Sequence, residues 1–169
     1  SGNDAATAIA EYVGGSEEAF VNMMNRRAQE LMANGTHFMN PHGLHDDNHY
    51  TTAYDLYLIF NECIKHEDFV NIIQSEAYTA YYTDVDGNSQ EALFTPTNLY
   101  AQGEVDVPEN VTIVGGKTGT TDEAGYCLIL MEKDSSDNPY ISIVMGASEK
   151  PVLYEDMTSL IEAIPSGQQ

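Results

Sequence analysis

The sequence predicts an α+β fold: helices first, antiparallel strands after them, and one helix to close. Three observations carry this prediction. Apolar residues in the first half recur every three to four positions, the spacing that collects them on one face of a helix. Residues 111–114, 126–132 and 140–146 are apolar, β-branched runs separated by turn residues, the pattern of an antiparallel sheet with at least one covered face. These runs do not alternate with helical stretches, which argues against a parallel, doubly wound sheet.

Residues 4–13 are alanine-rich with Ile9 and Val13 four apart, and Gly14-Gly15 supplies the left-handed residue that ends a helix. Ser16 then offers an N-cap, with Glu17 and Glu18 in the first turn where carboxylates complement the helix dipole. Phe20, Met24, Arg27 or Ala28, and Leu31 follow at helical spacing, and Asn34-Gly35 is the predicted stop. Residues 36–50, rich in His, Asn, Asp, Gly and Pro, read as a structured loop. Thr52-Ala53-Tyr54-Asp55 resembles a capping box with Asp in place of Glu, opening a helix whose apolar stripe is Leu56, Ile59, Phe60 and Cys63. A short helix over 67–74 follows. The stretches 78–83 and 92–95 flank Asp84-Val85-Asp86-Gly87-Asn88, whose Asp-Gly suits a hairpin turn. Residues 156–164 form the closing helix, and the tail 166–169 is expected to be disordered. No internal repeat is visible.

A chain of 169 residues, 42% hydrophobic, is long enough for one core, so one domain is expected. Six Lys and Arg against 27 Asp and Glu give a formal charge of −21. Such a chain repels phosphate backbones and anionic lipid surfaces, so neither nucleic acid nor an acidic membrane is an expected partner. The longest apolar runs, such as 127–131, are far shorter than a spanning helix. Cys63 and Cys127 lack the spacing of a metal finger or redox pair. They read as two small buried apolar residues, with a single disulfide as the alternative. The chain opens on Ser1-Gly2-Asn3 without an initiator Met, so a cut or processed piece is expected.

The chemistry concentrates at Lys117-Thr118-Gly119-Thr120, preceded by Gly115-Gly116. The ammonium offers a fixed charge, the threonine hydroxyl a donor beside it, and glycine leaves room for a ligand against the strand backbone. Together they suit a carboxylate. Taken alone, the tripeptide reads more readily as a polar strand entry whose lysine points into solvent.

More than a hundred residues upstream stands Ser1-Gly2-Asn3. Ser-x-Asn and Lys-Thr-Gly are two of the three signatures of the penicillin-recognising serine hydrolases, the third being Ser-x-x-Lys. Further segments follow in order: Gly15-Ser16-Glu17-Glu18-Ala19-Phe20, Met39-Asn40-Pro41-His42-Gly43-Leu44, Tyr50-Thr51-Thr52-Ala53-Tyr54-Asp55-Leu56, Thr97-Asn98-Leu99 and Ala124-Gly125-Tyr126-Cys127. In this series the chain resembles the low-molecular-weight D-Ala-D-Ala carboxypeptidases, from Ser1 to about Ile161.

The resemblance implies an incomplete β-lactamase/DD-peptidase-like fold, a partial transpeptidase-like catalytic domain over 1–165 whose N-terminal strands and nucleophile helix lie elsewhere. It implies a serine-type hydrolase that trims the terminal D-alanine from peptidoglycan stem peptides through an acyl-enzyme and binds β-lactam antibiotics. Ser1 would relay a proton to the leaving amine, Asn3 would hydrogen-bond the substrate amide, and Lys117 and Thr118 would hold the terminal carboxylate. Gly119 would leave the strand open to substrate, and the Thr120 N–H would supply one oxyanion-hole donor. No metal or other cofactor is implied. The parent would reside in the bacterial cell envelope. Ser-x-x-Lys is missing from these 169 residues: Glu62, Val114, Leu130 and Ala147 stand three before Lys65, Lys117, Lys133 and Lys150. The chain by itself is therefore expected to be inactive, and its uncovered apolar surface to be met by a separate N-terminal segment or a homodimer.

Other clusters read as structural. His37, His42, His45 and His49 with Asp46 and Asp47 lack the spacing of a helix-borne metal pair and suit a hydrogen-bonded loop. Asp84, Asp86 and Asn88 faintly resemble a calcium loop, but its twelfth position is Thr95 rather than Glu. Tyr78, Tyr81 and Tyr82 are expected to pack on the sheet rather than line a groove. Two alternatives remain in function: a class A β-lactamase-like hydrolase, disfavoured because no acid-bearing loop is recognisable, and a non-catalytic module that keeps the carboxylate clamp.

Overall fold

The computed structural model describes residues 1–165, and the tail at 166–169 lies outside them. Helices come first: α1 (Asn3–Gly14), α2 (Glu17–Glu30), α3 (Ala53–Cys63) and α4 (Glu67–Ile73). A hairpin of β1 (Tyr78–Thr83) and β2 (Ser89–Phe94), a single turn α5 (Leu99–Gln102), strands β3 (Val111–Thr121), β4 (Gly125–Asp134) and β5 (Pro139–Ala147), and helix α6 (Lys150–Glu162) complete the order. This is the α+β arrangement expected. Both sheets are antiparallel, the hairpin standing by itself and the larger sheet ordered β3-β4-β5.

The local signals act as the sequence suggests. Gly15 takes a left-handed φ of 80° and its N–H reaches Glu11 O at 2.8 Å, which closes α1. Ser16 Oγ accepts from the Ala19 N–H and Thr52 Oγ1 from the Asp55 N–H, each at 3.1 Å, capping α2 and α3. Asp84 Oδ1 accepts from the N–H groups of Asp86 and Asn88, so these acids build the hairpin turn.

Four boundaries differ from expectation. Helix α2 ends at Glu30, before Asn34-Gly35, because Met32 already adopts φ 63°. Strand β2 begins at Ser89 rather than residue 92, since the tight Asp84 turn lets pairing resume at Thr83–Ser89. Helix α6 begins at Lys150 rather than 156, because Pro151 falls in the first turn, where its missing N–H has no helical acceptor. The largest difference is β3, which runs unbroken through Gly115-Gly116, so Lys117 lies inside the strand rather than at its start. Here the glycines serve close approach. A Cβ on Gly115 would sit 2.1 Å from Ile73 O, and one on Gly116 2.0 Å from Ile129 O. The end of α4 is thereby seated directly against β3.

The core lies between the larger sheet and α6. Leu128 and Leu130 of β4 meet Leu153, Tyr154, Met157 and Ile161 of α6, all buried. Glu132 continues the same face of β4 by strand alternation and is fully buried. Neither of its carboxyl oxygens has a hydrogen-bond partner among the described residues. Ser142 of β5 softens the cost of burial without reaching hydrogen-bond geometry, and desolvation raises the Glu132 pKa to about 8. Cys63 and Cys127 are free and half-buried rather than fully buried, and no disulfide joins them. The three hairpin tyrosines do not pack as expected: Tyr78, Tyr81 and Tyr82 are exposed.

Candidate active-site cleft

Two parts of the chain far apart in sequence face each other across one cleft. On one side stands the start of α1. Gly2 is its N-cap residue with extended backbone, so Ser1 precedes the helix and Asn3 opens it. On the other side is the second half of β3, which among the described residues is an edge strand paired only with β4. A cavity of about 500 Å³ is lined by Ser1 and Asn3 together with Lys117, Thr118, Gly119 and Thr120. All six residues singled out from the sequence thus share it.

The third wall is the 36–50 loop, whose Asn40, Pro41, Gly43 and Leu44 line the same cavity. Side chains hold that loop in shape. Asn25 on α2 grips Phe38 twice, donating from Nδ2 to its carbonyl and accepting from its N–H, both at 2.8 Å. Asn40 Nδ2 donates to Leu44 O at 2.9 Å while its Oδ1 accepts from Gly43 N–H at 2.7 Å, and Gly43 supplies the left-handed φ of 83° that this tight turn requires. Thr36 bonds both Thr51 and the buried Asp55 at 2.8 Å, tying the loop's ends to α3.

The histidines belong to this loop's internal bonding. His37 Nδ1 lies 2.7 Å from Asn48 O, and His49 Nδ1 accepts from Met39 N–H at 3.1 Å. Burial is the main cause that lowers the His49 pKa. His42 lies 3.8 Å from Glu17, and His45 lies 3.3 Å from Asp47.

Within the cleft, the Lys117 ammonium donates to the carbonyl of its neighbour Thr118. Desolvation by the cleft walls lowers its pKa below the usual lysine value, although the side chain as a whole remains open to solvent. An anion beside it would offset that cost. A Cβ added at Gly119 would meet nothing within 4 Å, so the strand there faces open space. Lys117, Thr118 and Ser1 also border a second cavity of about 260 Å³, lined by Ile72, Tyr78 and Phe94 and by the segment 95–98. Tyr78 is therefore a cleft residue, whereas Tyr81 and Tyr82 are not among those lining either cavity. Sequence reading marked Thr97 only within the Thr97-Asn98-Leu99 segment and gave it no role at the site, where its Oγ1 lies 2.5 Å from Thr118 Oγ1. No local signal marks a contact 21 residues apart.

The family model described as D-alanyl-D-alanine carboxypeptidase, peptidase S11, matches residues 1–149. The D-alanyl-D-alanine carboxypeptidase DacF of Bacillus subtilis is 34% identical over 162 residues, which cover 96% of this chain and 39% of DacF. DacC of Escherichia coli is 30% identical over 161 residues, covering 95% of this chain and 37% of DacC. The chain therefore spans little more than a third of the length of these curated relatives. Among solved structures, the Streptomyces K15 DD-transpeptidase superposes with a TM-score of 0.83 at 26% identity, covering 94% of this chain and 61% of that one. DacD of Francisella tularensis, at 24% identity and a TM-score of 0.80, shares the fold over 95% of this chain and 48% of its own. With two signature tripeptides brought to one cleft and a family match over most of its length, the chain belongs to the S11 family of D-alanyl-D-alanine carboxypeptidases.

Proposed function

We propose that this chain supplies the carboxylate-binding and proton-relay share of a serine-type D-Ala-D-Ala carboxypeptidase site. The observation that carries the proposal is the single cleft between Ser1 and Asn3 on one side and Lys117 to Thr120 on the other. In this reading Lys117 and Thr118 hold the terminal carboxylate of a peptidoglycan stem peptide, or the carboxylate of a β-lactam. A charged donor and a hydroxyl side by side recognise that group better than either one does. The open edge of β3 receives the peptide backbone alongside Gly119, and the Thr120 N–H polarises the scissile carbonyl. Asn3 bonds the substrate amide, and Ser1 passes a proton to the departing D-alanine.

The nucleophile and its lysine come from a Ser-x-x-Lys segment outside these 169 residues. The domain is then the part of a transpeptidase-like catalytic unit that carries the second and third motifs, working in the cell envelope. No helix among the described residues is long and apolar enough to cross a membrane. For the chain by itself, the lack of Ser-x-x-Lys favours binding without turnover.

Labelled penicillin and intact-mass measurement test the assignment. A covalent adduct is expected only when a segment carrying Ser-x-x-Lys is added, and it should sit on that segment. An adduct on this chain alone would refute the division of labour.

A further inference from the structure

A threonine hydroxyl carries one proton. If Thr118 is to donate it to a bound carboxylate, the proton must be turned away from every other acceptor within reach, and the nearest of these is Thr97 Oγ1 at 2.5 Å. Between two hydroxyls at that distance, one donates and the other accepts. When Thr97 donates, the Thr118 proton is left free, and its oxygen, already polarised by the incoming hydrogen bond, becomes the stronger donor.

Thr97 is held where it can do this. The neighbouring Asn98 is buried, its Oδ1 capping α5 through the Tyr100 N–H at 3.1 Å. Leu99 N–H donates to the Tyr154 hydroxyl of α6 at 3.0 Å, and Gln102 Nε2 donates to Pro96 O at 2.7 Å. Tyr100 and Tyr154 stack edge to face with ring centres 5.4 Å apart, and the Tyr100 hydroxyl lies 2.7 Å from Thr158 Oγ1. The segment after Thr97 is thus pinned to the core helix and the segment before it to α5, while Thr97 itself stays exposed and borders the cavity it shares with Lys117 and Thr118.

We infer that Thr97 is a positioning residue of the clamp, its hydroxyl donating to Thr118 Oγ1 and so directing the Thr118 proton at the ligand carboxylate. This rests on the carboxylate reading of the cleft. Thr97 thereby contributes to selection of a free carboxylate terminus over a neutral one.

The test is titration of the 169-residue chain, followed by NMR, with an N-acetylated tripeptide ending in D-Ala-D-Ala and with its C-terminal carboxamide. Thr97→Val is expected to weaken binding of the carboxylate peptide about tenfold, the scale of a hydrogen bond to a charged group. It should leave the carboxamide unchanged, and Thr97→Ser should restore binding to within about twofold. Equal weakening of both peptides would mark a merely structural role and overturn the inference. So would unchanged affinity in Thr97→Val alongside a large loss in Lys117→Met, an outcome that leaves the carboxylate reading intact. If the unsubstituted chain does not distinguish carboxylate from carboxamide, the carboxylate reading itself fails and takes the inference with it.

Discussion

Glu132 makes stability depend on pH in a direction opposite to that of an ordinary paired carboxylate. It is fully buried on β4 with both oxygens unpartnered among the described residues, and its pKa rises from 4.5 to about 8. Below pH 4.5 the side chain is protonated whether the chain is folded or unfolded, and it contributes no pH dependence. Between 4.5 and about 8 the unfolded chain has released its proton while the folded chain retains one. Stability from this group then falls by about 1.4 kcal/mol per pH unit, reaching a loss on the order of 3 kcal/mol at pH 7 and 4 to 5 kcal/mol at pH 8 and above. Glu132→Gln has no proton to lose, so it should match the parent near pH 4.5 and exceed it progressively as pH rises. Urea unfolding of both chains at pH 5, 6, 7 and 8, followed by circular dichroism, isolates the effect because other titrations cancel in the difference. Parallel stability curves across that range would refute the argument.

Three further outcomes follow from the packing. Gly116→Ala should cost about 3 kcal/mol or more, since its Cβ would sit 2.0 Å from Ile129 O, whereas Gly119→Ala, facing open space, should cost under about 1 kcal/mol; denaturant midpoints compare the two. Ser16→Ala and Thr52→Ala should each lose about 1 kcal/mol, because each hydroxyl accepts the N–H of the third residue of its helix, a donor with no partner inside the helix, and thermal unfolding can read both. With a net charge of −21, raising ionic strength from about 0.01 M to about 0.15 M shortens the screening length from roughly 30 to 8 Å and should raise the Tm. An unchanged Tm would mean the acidic groups are already compensated locally.

What could be read in the sequence is what short-range chemistry decides. Ser16 and Thr52 announce helix starts because each hydroxyl meets the backbone N–H only three residues further along the chain. Asp84 announces a turn for the same reason. Ser1, Asn3 and Lys117 to Thr120 were legible as members of two motifs, and the fold brings them to one cleft. Long-range contacts left no such mark. Gly115-Gly116 lay outside the apolar run 111–114, yet the strand continues through them and needs glycine there because Ile73 and Ile129 press their carbonyls against it. Thr97 gained its place from Thr118, and Tyr78 from a hairpin base that opens toward the cleft instead of packing on the sheet. Glu132 is in sequence only the last residue of the run 126–132, and its burial beside the α6 core is what makes it a titrating group of consequence.

In the proposed function the opening of the chain and the edge of β3 form one receptor for an acidic peptide terminus. Amide chemical-shift mapping during titration with an N-acylated D-Ala-D-Ala peptide tests it most directly. Shifts are expected at Asn3 and at Lys117 through Thr120 together, saturating at one affinity and lost in Lys117→Met. Shifts confined to one of the two segments, or an unaltered response in Lys117→Met, would contradict it.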